Sequence, residues 1–225
     1  MIRVHVICEG QTEEMFVNEV LAKSFAAQEI YLIPALIGKP GHKGGNFRFE
    51  RLLTDIKGRL LNDATAYCTT FFDFYGLPAN FPGKQETSQY ANHTDKAHCI
   101  TEAMNTRLQD NLGGEAMRRF IPYVQMYEFE GLLFSDVNRL AQGFNQPALV
   151  EELQAIRAAF GSPEMINDSP ETAPSKRLLS IFDQYDKPLY GSLAALEIGL
   201  DNIRRECPLF NAWLDSISLL APIET

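Results

Sequence analysis

Four short apolar runs, each parted from the next by a stretch of helical periodicity, constrain this chain more than any other feature. The runs cover residues 2–8, 30–37, 67–72 and 120–126. The first is apolar or β-prone almost throughout, as a strand buried on both faces must be. Between the runs, Phe16, Val17, Val20, Leu21 and Phe25 recur at helical spacing. Phe49, Leu52, Leu53, Ile56 and Leu60 do the same, and Ile100, Met104 and Leu108 repeat every four residues. Each set makes one core-facing stripe. The order β-α-β-α-β-α-β predicts an α/β fold: a Rossmann-type parallel sheet of about four strands flanked by helices, with right-handed crossovers. Thr12 is placed to cap the first helix, with Glu13 and Glu14 in its first turn, where carboxylates favour the helix dipole. Pro34 suits the second run to an edge or a bulge.

After Glu130 the apolar spacing becomes helical, over residues 132–140, 148–160, 176–185, 193–198 and 208–214. This predicts an α/β core over residues 1–145 and a helical C-terminal extension over 146–225, packed on the core as one compact unit. Residues 161–175, with three prolines, are the best linker or loop candidate. Residues 74–94 are expected as a long loop over the sheet edge, a length that is usually functional. Within it, Phe74, Tyr75 and Phe81 suit either stacking on a base or loop packing.

Composition narrows the partners. A net charge of −9 opposes sequence-independent adhesion to nucleic acid, so such binding must use local basic segments, bridging metals or a basic partner. No apolar run approaches the roughly 20 residues that cross a bilayer, and the N-terminus has no secretory pattern. The expectation is a cytoplasmic protein with no membrane partner. The four cysteines form no Cys-x-x-Cys pair, which favours buried thiols over a zinc site. The densest basic stretch runs from Lys39 to Arg51 and includes Lys43 among glycines. It lacks the Gly-x-x-x-x-Gly-Lys-Ser/Thr pattern of a P-loop. It suits either phosphate contact or a solvated loop, and the same pair of readings applies to Lys176 and Arg177 after Pro174.

Each of three strand ends carries acid: Glu9 after the first, Asp73 after the third, Glu128 and Glu130 after the fourth. Ligands of open parallel sheets bind beyond the carboxyl ends of the strands. Two carboxylates about 4 Å apart repel by roughly 4 kcal/mol at an effective dielectric near 20, so the cluster needs a cation or a proton. All-oxygen donors favour Mg²⁺ or Mn²⁺, which activates water and polarises phosphate. Local roles compete: Glu13 or Glu14 at the helix dipole, Asp73 in a turn, Glu128 and Glu130 at a helix start.

Glu9-Gly10 followed by Glu13 resembles the Toprim-like domains of topoisomerases, primases and OLD-family nucleases. There the glutamate is assigned to acid/base chemistry, and an Asp-x-Asp motif at a later strand end holds Mg²⁺. Asp73 matches the first aspartate; Tyr75 stands at the second position, with Glu128 or Glu130 as the substitute ligand. A closer resemblance, over essentially the whole chain, is to the bacterial family DUF4276. It is carried by residues 8–13, 73–78 and 128–134, and by Pro174-Ser175-Lys176-Arg177, Tyr185-Asp186-Lys187 and Cys207-Pro208-Leu209-Phe210. The resemblance implies an ATPase partner in a phage-defence setting and a Mg²⁺-dependent Toprim-like nuclease or phosphodiesterase effector. Glu9, Glu13 and Asp73 would be catalytic; Glu9, Asp73, Glu128 and Glu130 would hold metal; Gly10, Lys43, Lys176 and Arg177 would contact substrate phosphate. Two other functions fit the same residues: a non-catalytic sensor or interaction subunit, and a small-nucleotide phosphohydrolase.

Overall fold

A computed structural model describes residues 1–37, 48–167 and 169–223. Residues 38–47, and with them Lys43, lie outside the described residues. The strands β1 (Ile2–Cys8), β2 (Ile30–Leu36), β3 (Ala66–Phe71) and β4 (Phe120–Ile121) form one sheet in the order β2-β1-β3-β4. Every pairing is parallel. Cys8 lies opposite both Leu36 and Phe71. The register therefore ends β1 and β3 side by side, and the acids that follow them emerge at one edge.

The sheet has a core on each face. On one, Val4, Val6 and Cys8 pack with Phe16, Phe71 and Phe129, and with Ile198, Phe210 and Trp213 from the C-terminal helices. On the other, Ile7 and Cys68 pack under Leu52, Ile56 and Leu60 of the helix Phe49–Asn62, and under Ile100, Met104 and Leu108 of the helix His93–Leu112. The apolar stripes expected for these two helices are buried except for Leu53, which is half-buried. The C-terminal part shares the first core: Trp213 stacks on Tyr123 at 4.3 Å between ring centroids and lies 5.3 Å from Phe71. Burying aromatic side chains of this size supplies roughly 1.5–3 kcal/mol each. Cys8, Cys68 and Cys207 are buried and Cys99 is half-buried, all as free thiols. Among the described residues, no helix is long and apolar enough to cross a membrane.

Several boundaries differ from the sequence expectation, each for a local reason. The first helix opens at Gln11 with Gly10 as its cap, so Thr12 lies inside it and is buried. The Glu13 carboxylate reaches back to the Gly10 amide at 2.9 Å, and this satisfies the helix end in place of a threonine cap. The helix then widens through a π turn, Val17–Leu21, before closing as Ala22–Ala26. Strand β4 stops after two residues. Pro122 has no N–H for the ladder, and the Thr69 and Thr70 hydroxyls donate to the carbonyls of Ile121 and Tyr123 at 2.6 Å each. Pairing resumes only at an isolated bridge between Asp73 and Gln125.

The expected helix over 132–140 is two, Glu130–Leu133 and Val137–Gly143, because Asp136 caps the second through the amides of Asn138 and Arg139. The helix expected from Leu193 starts at Lys187. Asp186 caps it by accepting from the Leu189 amide at 3.1 Å, and Pro188 fits its first turn. Gly191, in its second turn, lets the helix lie close to the sheet-edge segment: a Cβ there would stand 3.2 Å from the Phe129 ring.

Candidate functional site

Past the paired ends of β1 and β3 the chain brings four carboxyl groups together. Glu9 follows β1 directly. Its carboxylate lies over Gly76 and accepts the Asp73 amide at 3.1 Å. Any Cβ at Gly76 would fall 2.2–2.5 Å from that carboxyl group, so the turn after Asp73 must have glycine there. Glu13 comes from the first helical turn, anchored on the Gly10 amide. At Gly10 the fit is tight but less severe: a Cβ would meet the Glu13 carboxylate at 3.1 Å. Asp73 directs one oxygen to the Phe129 amide at 2.8 Å. Glu130, fully buried, accepts the Tyr185 hydroxyl at 3.3 Å through Oε1.

The centre of this cage is an ammonium. Lys187 Nζ lies 2.8 Å from Asp73 Oδ2, 3.3 Å from Glu13 Oε1 and 3.3 Å from Glu130 Oε2. Its side chain is 33% exposed, against 8% for Asp73, 4% for Glu13 and none for Glu130. Glu130 Oε2 is buried and has no hydrogen-bond partner, its approach to Lys187 being ionic only.

Four acids against one ammonium perturb the proton equilibria of Glu9, Glu13, Glu130 and Lys187. Burial pushes Glu9 up to about 8, with the charges of Asp73 and Glu13 adding to it. Burial raises Glu130 to about 7 against the pull of Lys187. Glu13 is also raised, by burial and by Asp73. Burial works against the charge of Lys187, but Asp73, Glu130 and Glu13 together outweigh it and hold the ammonium well above the usual lysine range. A carboxyl group held near neutrality beside a structured cation is suited to general acid/base work. A second cation stands nearby. Lys84 donates to the Phe74 carbonyl and lies 3.2 Å over the Phe74 ring, and burial lowers it to about 8 although Glu9 opposes the shift.

Other residues singled out in the sequence have local roles. Glu128 is half-buried and accepts the Ser175 amide at 2.8 Å, serving the N-terminus of the helix Pro174–Ile181. Lys176 is exposed on that helix. Arg177 donates to the Thr172 carbonyl at 2.7 Å and lies 5.1 Å from the Phe160 ring. Phe74 and Phe81 are buried in the loop, Phe81 against Phe49. Tyr75, at the position of the second aspartate, turns to Asn167 and packs beside Tyr127. Tyr127 has φ +62°, a left-handed conformation uncommon for an aromatic residue. It leads directly into the turn carrying Glu128, Phe129 and Glu130.

Sequence reasoning named Tyr185 and Lys187 only within a segment of family resemblance and gave them no role in the site, and it missed Lys84. One signal was available for Lys187: a cation in the first turn of a helix, behind an aspartate cap, opposes the helix dipole and asks for a compensating partner.

A hard divalent ion matches these donors in kind but not in place. The position surrounded by Glu13, Asp73 and Glu130 belongs to the Lys187 ammonium. Among the described residues, no group of three or more His, Cys, Asp or Glu side chains is arranged to hold a metal. With Lys187 seated, Mg²⁺ or Mn²⁺ does not fit.

Sheet, crossover helices and carboxylate cage define an α/β protein of Rossmann-like build with an acidic centre at the carboxyl edge of its strands. The profile of the family described as "Domain of unknown function (DUF4276)" matches residues 8–218, and the chain belongs to that family. No curated protein matches the chain significantly, and no solved structure does.

Proposed function

We propose that the cage is the hydrolytic centre of a phosphodiesterase or nuclease effector acting on nucleic acid or a nucleotide. The observation that carries this reading is the convergence of Glu13, Asp73 and Glu130 on Lys187, with Glu9 beside them on the Asp73 amide, at the sheet edge where parallel α/β folds bind ligands. Glu9, held near pH 8, takes a proton from attacking water or gives one to a leaving oxygen. Asp73, anchored on the Phe129 amide, fixes Lys187, which supplies the positive charge. Mg²⁺ or Mn²⁺ enters this reading only as a cation that takes the place of Lys187. The net charge of −9 favours a small nucleotide, or nucleic acid presented by a basic partner. An ATPase partner and a phage-defence setting rest on the resemblance to DUF4276 and Toprim-like proteins, and phosphate contacts by Gly10, Lys43, Lys176 and Arg177 rest on the glycines and basic residues of their segments.

The test is a panel of DNA, RNA and nucleotides, with and without Mg²⁺ or Mn²⁺, against the wild type and a Glu9→Gln, Asp73→Asn double variant. Hydrolysis lost in the double variant supports the assignment, and hydrolysis that persists in it refutes the site. A second reading, a non-catalytic sensor or interaction subunit, is favoured by the three ion pairs of Lys187. They make the cage a self-neutralised structural centre, and a panel inert throughout would select that reading.

A further inference from the structure

We propose that the outer face of the helix Lys187–Ile198 is a dimer interface, which packs antiparallel on the same helix of a second copy of this chain. The helix is inverted in size. Its inner face buries Gly191, Ser192, Ala194 and Ala195, while its outer face holds Leu189, Leu193 and Leu196 at 54%, 46% and 47% exposure. A helix whose outer face met only water would bury its large apolar residues and expose polar ones. Here no charged residue falls between Lys187 and Glu197.

The small residues inside follow from close backbone approach. A Cβ at Gly143 would stand 2.6 Å from the Ala194 Cα, and one at Gly191 would stand 3.2 Å from the Phe129 ring. The helix is thus pressed onto the helix Val137–Gly143 and onto the sheet-edge segment, with its leucines left outside as one stripe.

The stripe specifies its occupant. Leu189, Leu193 and Leu196 are spaced by four residues and then three, the d-a-d spacing of a helix-pair seam. A second helix with the same seam completes it, and a second copy supplies one across a two-fold axis. An axis level with the Ser192–Leu193 step sets Leu189 of each copy against Leu196 of the other, with the two Leu193 side chains side by side at the centre. The same register brings Asp186, the cap of one helix, opposite Gly199, the cap at the far end of the other. Arg139 stands at that far end. It donates to the Glu197 and Ile198 carbonyls at 3.2 and 3.3 Å, and half of its side chain is exposed. An acid at one helix N-terminus therefore meets a cation at the other's C-terminus, and the two dipoles oppose. A parallel pair would instead set Asp186 against Asp186 and Arg139 against Arg139. A dimer of this kind is independent of any hydrolytic activity.

The experiment is sedimentation of the full chain across micromolar concentrations, for the wild type and Leu193→Glu, with cysteine cross-linking to read the register. The wild type is expected to sediment at twice the chain mass. Leu193→Glu should raise the dimer dissociation constant at least about a hundredfold and leave the Trp213 emission unchanged. In a Cys99→Ser background, where the three remaining thiols are buried, Leu193→Cys should cross-link to itself on oxidation. Leu189→Cys should cross-link to Leu196→Cys in a mixture and not to itself. A wild type that is monomeric throughout overturns the proposal, as does a dimer that survives in Leu193→Glu. Leu189→Cys that cross-links to itself and not to Leu196→Cys overturns the antiparallel pairing and the proposal with it. If Leu193→Glu misfolds, the cysteine pairs decide, since each replaces only an exposed leucine.

Discussion

Replacing Glu9 by glutamine should make the protein more stable at neutral and alkaline pH, although it removes a residue from the centre of the site. Folding raises Glu9 from its ordinary value of 4.5 to about 8, chiefly by burial and then by the charges of Asp73 and Glu13. The folded state therefore holds a proton that the unfolded chain releases. Stability falls as pH rises, and the loss accumulates between about pH 4.5 and pH 8. At 1.36 kcal/mol per pKa unit, the loss is roughly 3 kcal/mol at pH 7 and approaches about 5 kcal/mol above pH 8. Glutamine stays neutral and keeps an oxygen for the Asp73 amide, so Glu9→Gln escapes this loss.

The assay is urea unfolding at pH 4.5, 7 and 8.5, followed by the emission of Trp213. That residue is the only tryptophan, 4% exposed and stacked on Tyr123. Wild type and variant should match at pH 4.5. The variant should lead by about 2–3 kcal/mol at pH 7, a shift in Tm on the order of 5–10 °C for a chain of this size. Glu130 and Glu13 still titrate, so the variant keeps a shallower slope. A stability difference that is constant across pH, or a variant weaker than the wild type at pH 8.5, would refute the account of a strained, proton-holding carboxyl group.

Gly76→Ala drives a Cβ into the Glu9 carboxyl group and strands the Asp73 amide, for a loss of about 1–3 kcal/mol by urea unfolding; hydrolysis in the panel should fall with it. Glu164→Ala removes the acceptor for the Leu209 and Phe210 amides, which sit at 2.9 and 2.8 Å at the start of the helix Pro208–Ser218. It should cost about 2–4 kcal/mol, read from the Trp213 transition midpoint. Asp136→Ala uncaps the helix Val137–Gly143 and should cost about 1 kcal/mol in the same assay.

What could be read from the sequence was local. The run Ile2–Cys8 and the stripes Leu52–Ile56–Leu60 and Ile100–Met104–Leu108 carry their own period, and the sheet with its flanking helices follows from them. Glu9 and Asp73 were legible because each ends a strand. Which of Glu128 and Glu130 faces the cage was not, since they stand two residues apart in one turn and their separate partners, the Ser175 amide and Lys187, are distant in sequence. Lys187 escaped because the apolar spacing of its helix begins later than its cap, and because its partners are far away in sequence. The early end of β4 was legible in Pro122 but not in the Thr69 and Thr70 hydroxyls of β3, whose competition for its carbonyls is tertiary.

The order in which the cage is assembled has a consequence during synthesis. All four acids precede residue 131, while the ammonium arrives only with the helix Lys187–Ile198, and Phe210 and Trp213 close the shared core later still. A ribosome making this chain thus exposes a complete carboxylate set before its own counter-ion exists. Until position 187 emerges, the growing chain carries these acids without the ammonium that three of them pair with.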